Sequence, residues 1–208
     1  EAYSIASLSK LMTAMTFLDA KPNLKEEVIV TVEDDPHEGK TVFAAGERFT
    51  KQELFEALLI GSVNTAGNTL ARTTGSGREE FVRRMNRKVQ ELGLSQAIFF
   101  EPTGLDARNK ASARDVAIML RAALSYPEIR ETTEKNHLSL VGRATKKPYE
   151  IDSTNLLLGS FLNKPPYQVI AAKTGSLPEA KFCLAQVTRH QDGGEVIAVV
   201  LGSDDHFS

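Results

Sequence analysis

The 208-residue chain reads as an α+β protein, an antiparallel sheet packed with a cluster of helices. Three observations predict this. Apolar residues recur at helical spacing through most of the chain, from about residue 8 to 130. From Tyr167 the pattern turns to β. The last two of those β runs flank the turn QDGGE, as the arms of an antiparallel hairpin do.

Leu8, Leu11, Met12, Met15, Phe17 and Leu18 form a broad apolar face, which predicts a buried helix over 8–18. VIVTV at 28–32 reads as a short strand, followed by the polar turn DDPHEGK. Thr50 and Glu53 make a T-x-x-E capping box ahead of LFEALLIG, a helix that should stop near Gly61. A second helical stretch, about 65–73, starts just after SVN. GSG breaks the pattern, and REEFVRRMNRKVQELG is an amphipathic helix ending at Gly93. Residues 94–111 read as loop, with PTG a turn. Ser112 and Asp115 cap ARDVAIMLRAALSY, which Pro127 ends. Residues 136–154 are mixed strand and loop, and YQVIAAKTG, FCLAQVTRH and VIAVVLGS are strands of a sheet over about 167–203. One domain over 1–208 is expected, with the last three strands packed on the 8–18 helix.

Composition excludes several functions. A net charge of −2 provides no field for nucleic acid or an anionic membrane. The single cysteine, Cys183, allows no internal disulfide and is expected in the core. No apolar run approaches the roughly 20 residues of a membrane span, so no membrane anchor is expected within the chain. No zinc-spaced cysteines or histidines, P-loop or G-x-G-x-x-G occur, so neither metal nor cofactor is expected. His37, His137, His190 and His206 lie in polar, loop-like surroundings and no G-x-S-x-G elbow exists, which argues against a Ser-His-Asp triad. The basic run RRMNRK reads as the solvated face of a helix. The chain begins without Met and ends just after a strand, as a processed protein or a piece of a longer one does.

Three short motifs carry chemistry: Ser7-Leu-Ser-Lys10, Ser62-Val-Asn64 and Lys173-Thr174-Gly175. Ser7 and Lys10 share a face on the first turn of a helix. A serine at a helix start meets the positive end of the macrodipole. Lys10 can take its proton only if neutral, so burial and a second cation, Lys173, must lower a pKa ordinarily about 10.4. Ser62 and Asn64 fall where one helix stops and the next begins, a place for a polar loop facing a cleft. Plain helix caps would explain their polarity but not their place in the ordered set of motifs. The strand QVIAAKTG ends in a glycine that lets an extended peptide approach its edge. A second S-x-N, Ser153-Thr154-Asn155, is assigned to the cleft wall.

With these motifs in this order, and with EPTGLD at 101–106 and SARD at 112–115, the chain resembles the serine D-alanyl-D-alanine carboxypeptidases, the small penicillin-binding proteins. It departs from them at Val63, where Asp or Gly is usual. The resemblance implies a β-lactamase/transpeptidase-like fold that here lacks the strands before S-x-x-K and the helix after the last strand. It implies Ser7 as nucleophile, Lys10 as base, Ser62 as proton relay and Asn64 on a substrate amide. It further implies Lys173 and Thr174 on the substrate's terminal carboxylate, beside Gly175, and an oxyanion hole from the N–H groups of Ser7 and Ser176. The expected partners are peptidoglycan stem peptides ending in D-Ala-D-Ala and β-lactam antibiotics, met outside the cytoplasm. An endopeptidase cutting D-alanyl crosslinks shares all three motifs, and a non-catalytic penicillin-sensing domain remains a reading of another class. A β-lactamase fits less well, for want of an E-x-x-L-N string.

Overall fold

The computed structural model describes residues 1–75 and 77–205, so His206 and the middle of the GSG break lie outside the described residues. The first half runs β1 (Tyr3–Ser4), a 3-10 turn (Ala6–Leu8), α1 (Ser9–Asp19), β2 (Glu27–Ile29), β3 (Arg48–Thr50), α2 (Lys51–Ile60), α3 (Asn64–Arg72) and α4 (Gly77–Glu91). The second runs β4 (Lys110–Ala111), α5 (Ala113–Ala123), α6 (Pro127–Thr133), β5 (His137–Val141), β6 (Pro148–Asp152), β7 (Tyr167–Leu177), β8 (Lys181–His190) and β9 (Glu195–Ser203). All pairings are antiparallel: β1 with β4, β2 with β3, β5 with β6, and a sheet in the order β7-β8-β9.

The helix starts follow the local chemistry read from the sequence. Thr50 and Glu53 form a reciprocal capping box on α2, as Ser112 and Asp115 do on α5. Each box satisfies backbone donors that a helix start otherwise leaves open, worth about 1 kcal/mol. Gly61 caps the end of α2. Helix α1 is buried over every residue from Ser9 to Phe17, as a central core helix must be. Cys183 is in the core.

Several expectations are corrected. The 28–32 strand is shorter, because Val32–Asp34 turns into a 3-10 helix. Asp34 takes the Thr31 N–H at 2.9 Å and the Arg72 guanidinium at 2.7 Å, which tightens the chain there. Pro127 does not end a helix but begins α6 at its first turn, where its missing N–H costs nothing. His137 and His190 lie on strands, with His137 held between Asp152 and Glu150 at 2.7 Å each. The RRMNRK stretch is only partly solvated: Met85 is buried and Lys88 pairs with Asp19 at 2.6 Å.

The expected packing of the sheet on α1 is also corrected. The sheet meets α5, α6 and the Ala6–Leu8 turn, while α1 lies among α2, α3, α4 and α5. That arrangement sets the Ala6–Leu8 turn, just ahead of α1, against β7, which is at the sheet edge.

Candidate active site

The site forms where the Ala6–Leu8 turn, the α2–α3 junction, the 101–106 loop and β7 meet. Ser7 is half-buried in the tight turn that delivers it to α1, and Ala6 before it takes φ +44°. A non-glycine residue in that region is held by its surroundings rather than by preference. Ser62 is held similarly, at φ +58° between α2 and α3.

Lys10 is fully buried. Its Nζ donates to Ser7 Oγ at 2.8 Å, to Asn64 Oδ1 at 2.7 Å and to the Thr103 carbonyl at 2.6 Å. Two of these partners can only accept, whereas a serine hydroxyl can also donate. A neutral amine therefore gives its two hydrogens to Asn64 and Thr103, and its lone pair faces the Ser7 hydroxyl. Burial brings the Lys10 pKa from 10.5 down to about 7, opposed in part by the Glu101 carboxylate. Of the two causes expected, burial is the larger for Lys10, while the repulsion between Lys10 and Lys173 bears on Lys173.

Lys173 is itself buried, and its ammonium donates to Ser62 Oγ and to the Thr174 carbonyl, both at 2.9 Å. Burial, then the charges of Lys10 and Lys40, hold its pKa well below the ordinary value. Thr174 Oγ1 donates to Thr154 Oγ1 at 2.6 Å, which sets Thr154 in the wall of the cleft as expected. Asn155 turns away, donating to Gln186 at 3.2 Å.

Gly175 explains why this strand can run so close to the nucleophile. A Cβ there would lie 2.9 Å from Ser7 N and 3.0 Å from the Ile5 carbonyl. The cleft above has a volume of about 790 Å³ and is lined by Ser7, Ser62, Asn64, Thr174, Gly175 and Ser176. Lys10 and Lys173 lie beneath this lining. All eight sequence-selected residues thus come together around one cleft.

The sequence reading missed other walls. Glu38, Gly39 and Lys40, read as a polar turn, line the cleft opposite β7, and Leu105 closes it beside them. A Cβ on Gly39 would lie 2.5 Å from Asn64 Nδ2. The Asn64 amide is thus divided: its oxygen serves Lys10, and its nitrogen is turned toward the 39–40 loop. Thr103 was missed because its contribution is a carbonyl, which every residue type carries.

Comparison with known proteins is consistent with this geometry. The chain is 32% identical over 209 residues to a D-alanyl-D-alanine endopeptidase of Pseudomonas aeruginosa, covering 98% of this chain and 66% of that protein. It is 32% identical to the D-alanyl-D-alanine carboxypeptidase DacF of Bacillus subtilis, covering 98% of this chain and 52% of that protein. The chain thus spans from about half to just under two thirds of the length of these curated relatives. Among solved structures, the Streptomyces K15 DD-transpeptidase superposes with a TM-score of 0.89 at 26% identity, over 99% of this chain and 82% of that one. A D-alanyl-D-alanine carboxypeptidase of Mycobacterium tuberculosis gives 0.86 at 26% identity, over 97% and 74%. The expected transpeptidase-like fold is therefore present. Residues 1–205 match the family model described as D-alanyl-D-alanine carboxypeptidase, and the chain belongs to that family.

Proposed function

We propose that this chain is the catalytic domain of a serine D,D-carboxypeptidase that removes the terminal D-alanine from peptidoglycan stem peptides. The observation that carries the reading is the buried amine of Lys10, fixed by two acceptor-only oxygens so that its lone pair meets Ser7 Oγ at 2.8 Å. A serine next to a permanently charged lysine is idle; one next to a dry, neutral amine is a nucleophile.

The steps follow from the placement. The Ser7 hydroxyl proton passes to Lys10 Nζ as Oγ bonds to the carbonyl carbon of the D-Ala-D-Ala peptide bond. The oxyanion is received by the backbone N–H groups of Ser7 and Ser176, each such donor worth roughly 3 kcal/mol. Lys173 and Thr174 receive the substrate's terminal carboxylate, and Asn64 Nδ2 a substrate amide. The C–N bond breaks as the proton taken up by Lys10 passes by way of Ser62 to the leaving nitrogen, leaving an ester on Ser7 and Lys10 neutral again. Water then hydrolyses that ester, regenerating the Ser7 hydroxyl and releasing the shortened peptide. A β-lactam enters the same steps but keeps its leaving nitrogen tethered, so the ester persists. The substrate is met outside the cytoplasm, where peptidoglycan lies, and among the described residues no helix is long and apolar enough to cross a membrane.

Intact-mass spectrometry after incubation with benzylpenicillin tests this. One penicillin per chain is expected on the wild type and none on Ser7→Ala. An unmodified wild type, or a modified Ser7→Ala, overturns the assignment. The pH profile follows from Lys10. Its pKa is lowered to about 7, so the amine is charged below that value and neutral above it. Acylation should fall about tenfold per pH unit on the acid side of that point, as read with a fluorescent penicillin. A flat profile through neutrality contradicts Lys10 as the base.

A second reading has specific support: relatives from Pseudomonas aeruginosa, Escherichia coli and Haemophilus influenzae are named D-alanyl-D-alanine endopeptidases. The chemistry at Ser7 is the same; only the peptide beyond the scissile bond differs. Digestion of purified muropeptides separates the two. Free D-alanine marks the carboxypeptidase, and conversion of dimers to monomers marks the endopeptidase.

A further inference from the structure

Glu101 is buried, at 6% exposed, and among the described residues no salt bridge joins it to a lysine or arginine. A carboxylate in that position is costly unless hydrogen bonds replace its water. Here they do. One oxygen accepts from the Thr103 N–H and the Thr103 hydroxyl, both at 2.6 Å. The other accepts from the Gly104 N–H and from Asn109 Nδ2, the latter at 3.0 Å. Asn109 Nδ2 also lies 3.1 Å from Ser9 Oγ on α1, which ties the cluster to the helix that carries Lys10.

The bound residues are those that touch the reacting groups. The carbonyl of Thr103, whose N–H and hydroxyl both hang from Glu101, accepts from Lys10 Nζ at 2.6 Å. Gly104 packs on the backbone of Ala6 and Ser7, and a Cβ there would lie 2.8 Å from Ser7 N. One carboxylate therefore orients an acceptor on the base and a backbone contact of the nucleophile. We propose that Glu101 is a positioning residue: it fixes the Thr103 carbonyl on the Lys10 amine, and its buried negative charge favours the protonated amine that forms as Ser7 attacks.

The charge distribution around Lys10 makes this effect separable. Lys173 and Lys40 are the cationic side chains on this side of the cleft, and Glu38 lines its outer part. Asp106 near the loop is already paired with Arg108 at 2.6 Å. Glu101 is the carboxylate that acts on Lys10, in the direction that raises its proton affinity. A strong base accepts the Ser7 proton better but is charged over a wider pH range. The carboxylate thus trades rate at the plateau against the position of the acid limb.

This inference rests on Lys10 acting as the base. The test is the second-order rate of acylation by a fluorescent penicillin across pH for the wild type, Glu101→Gln and Glu101→Asp, each checked by a circular-dichroism melt. Glu101→Gln removes the charge, so its acid limb should move down by about one pH unit while the plateau falls ~10-fold. Glu101→Asp keeps the charge, so its limb should stay while its plateau falls. A residue that merely braces the loop lowers the plateau and leaves both limbs in place. An unmoved limb in folded Glu101→Gln overturns the inference. Should Glu101→Gln not fold, a displaced limb in Glu101→Asp overturns it instead. Carbon-13 NMR of the lysine ε-carbons reads the same titration without any reaction. A wild type that takes up no penicillin therefore sinks the acyl-enzyme reading, while the Lys10 titration still judges Glu101.

Discussion

Replacing Lys10 with arginine should slow acylation of Ser7 by penicillin on the order of 10³-fold, although a positive charge is kept. A guanidinium stays protonated throughout the accessible pH range, so it cannot accept the Ser7 proton. It also carries more donors than Asn64 Oδ1, the Thr103 carbonyl and Ser7 Oγ can satisfy in a buried site. Lys10→Met removes the base with little change in volume and should be as slow as Lys10→Arg. The pair separates proton transfer from charge, since one variant retains a cation and the other does not. Stopped-flow or quenched-flow labelling measures the rate, and circular dichroism checks the fold. Either variant acylating within about threefold of the wild type removes Lys10 from the chemistry.

Gly104→Ala should lower stability by about 3 kcal/mol and the melting temperature by roughly 10 °C. Gly104 takes φ +87°, and a Cβ there runs into the Ala6 carbonyl, a backbone atom with no rotamer to change. The turn that presents Ser7 must then move, so acylation should fall as well. Gly46→Ala is the control, because Gly46 has φ +90° with nothing within 4 Å of its Cβ. It should cost only the conformational strain, about 1 kcal/mol. Equal melts for the two variants would show that Gly104 does not bear on the Ser7 turn.

Much of this site is legible in one dimension because its residues act through their own side-chain chemistry. Ser7 and Lys10 are three apart on one helix turn, so their contact is local. Ser62 and Asn64 mark a helix boundary, and Gly175 is glycine because a strand passes a backbone there. The caps Thr50–Glu53 and Ser112–Asp115 were readable for the same reason: each is a short-range bond with a fixed spacing. Errors fell where longer contacts overrode the local pattern. Val32 left its strand because Asp34 is held by Arg72 from α3, and Pro127 opened a helix instead of closing one.

Thr103 and Glu101 illustrate what a sequence conceals. The first contributes a carbonyl, and the second acts on Lys10 through Thr103 and through its charge. The same holds for Lys40, whose charge reaches Lys173 across the cleft from a loop that reads only as polar.

Residue types, helix starts and turn glycines are short-range matters, so a linear reading assigns them: which serine, which lysines, which strand. The basicity of Lys10 is not short-range. It depends on how completely water is excluded, and that exclusion comes from α3, the 101–106 loop and β7 closing over one ammonium from positions far apart in the chain. A lysine's identity is written at one position, but the dielectric around it is a property of the whole packed neighbourhood.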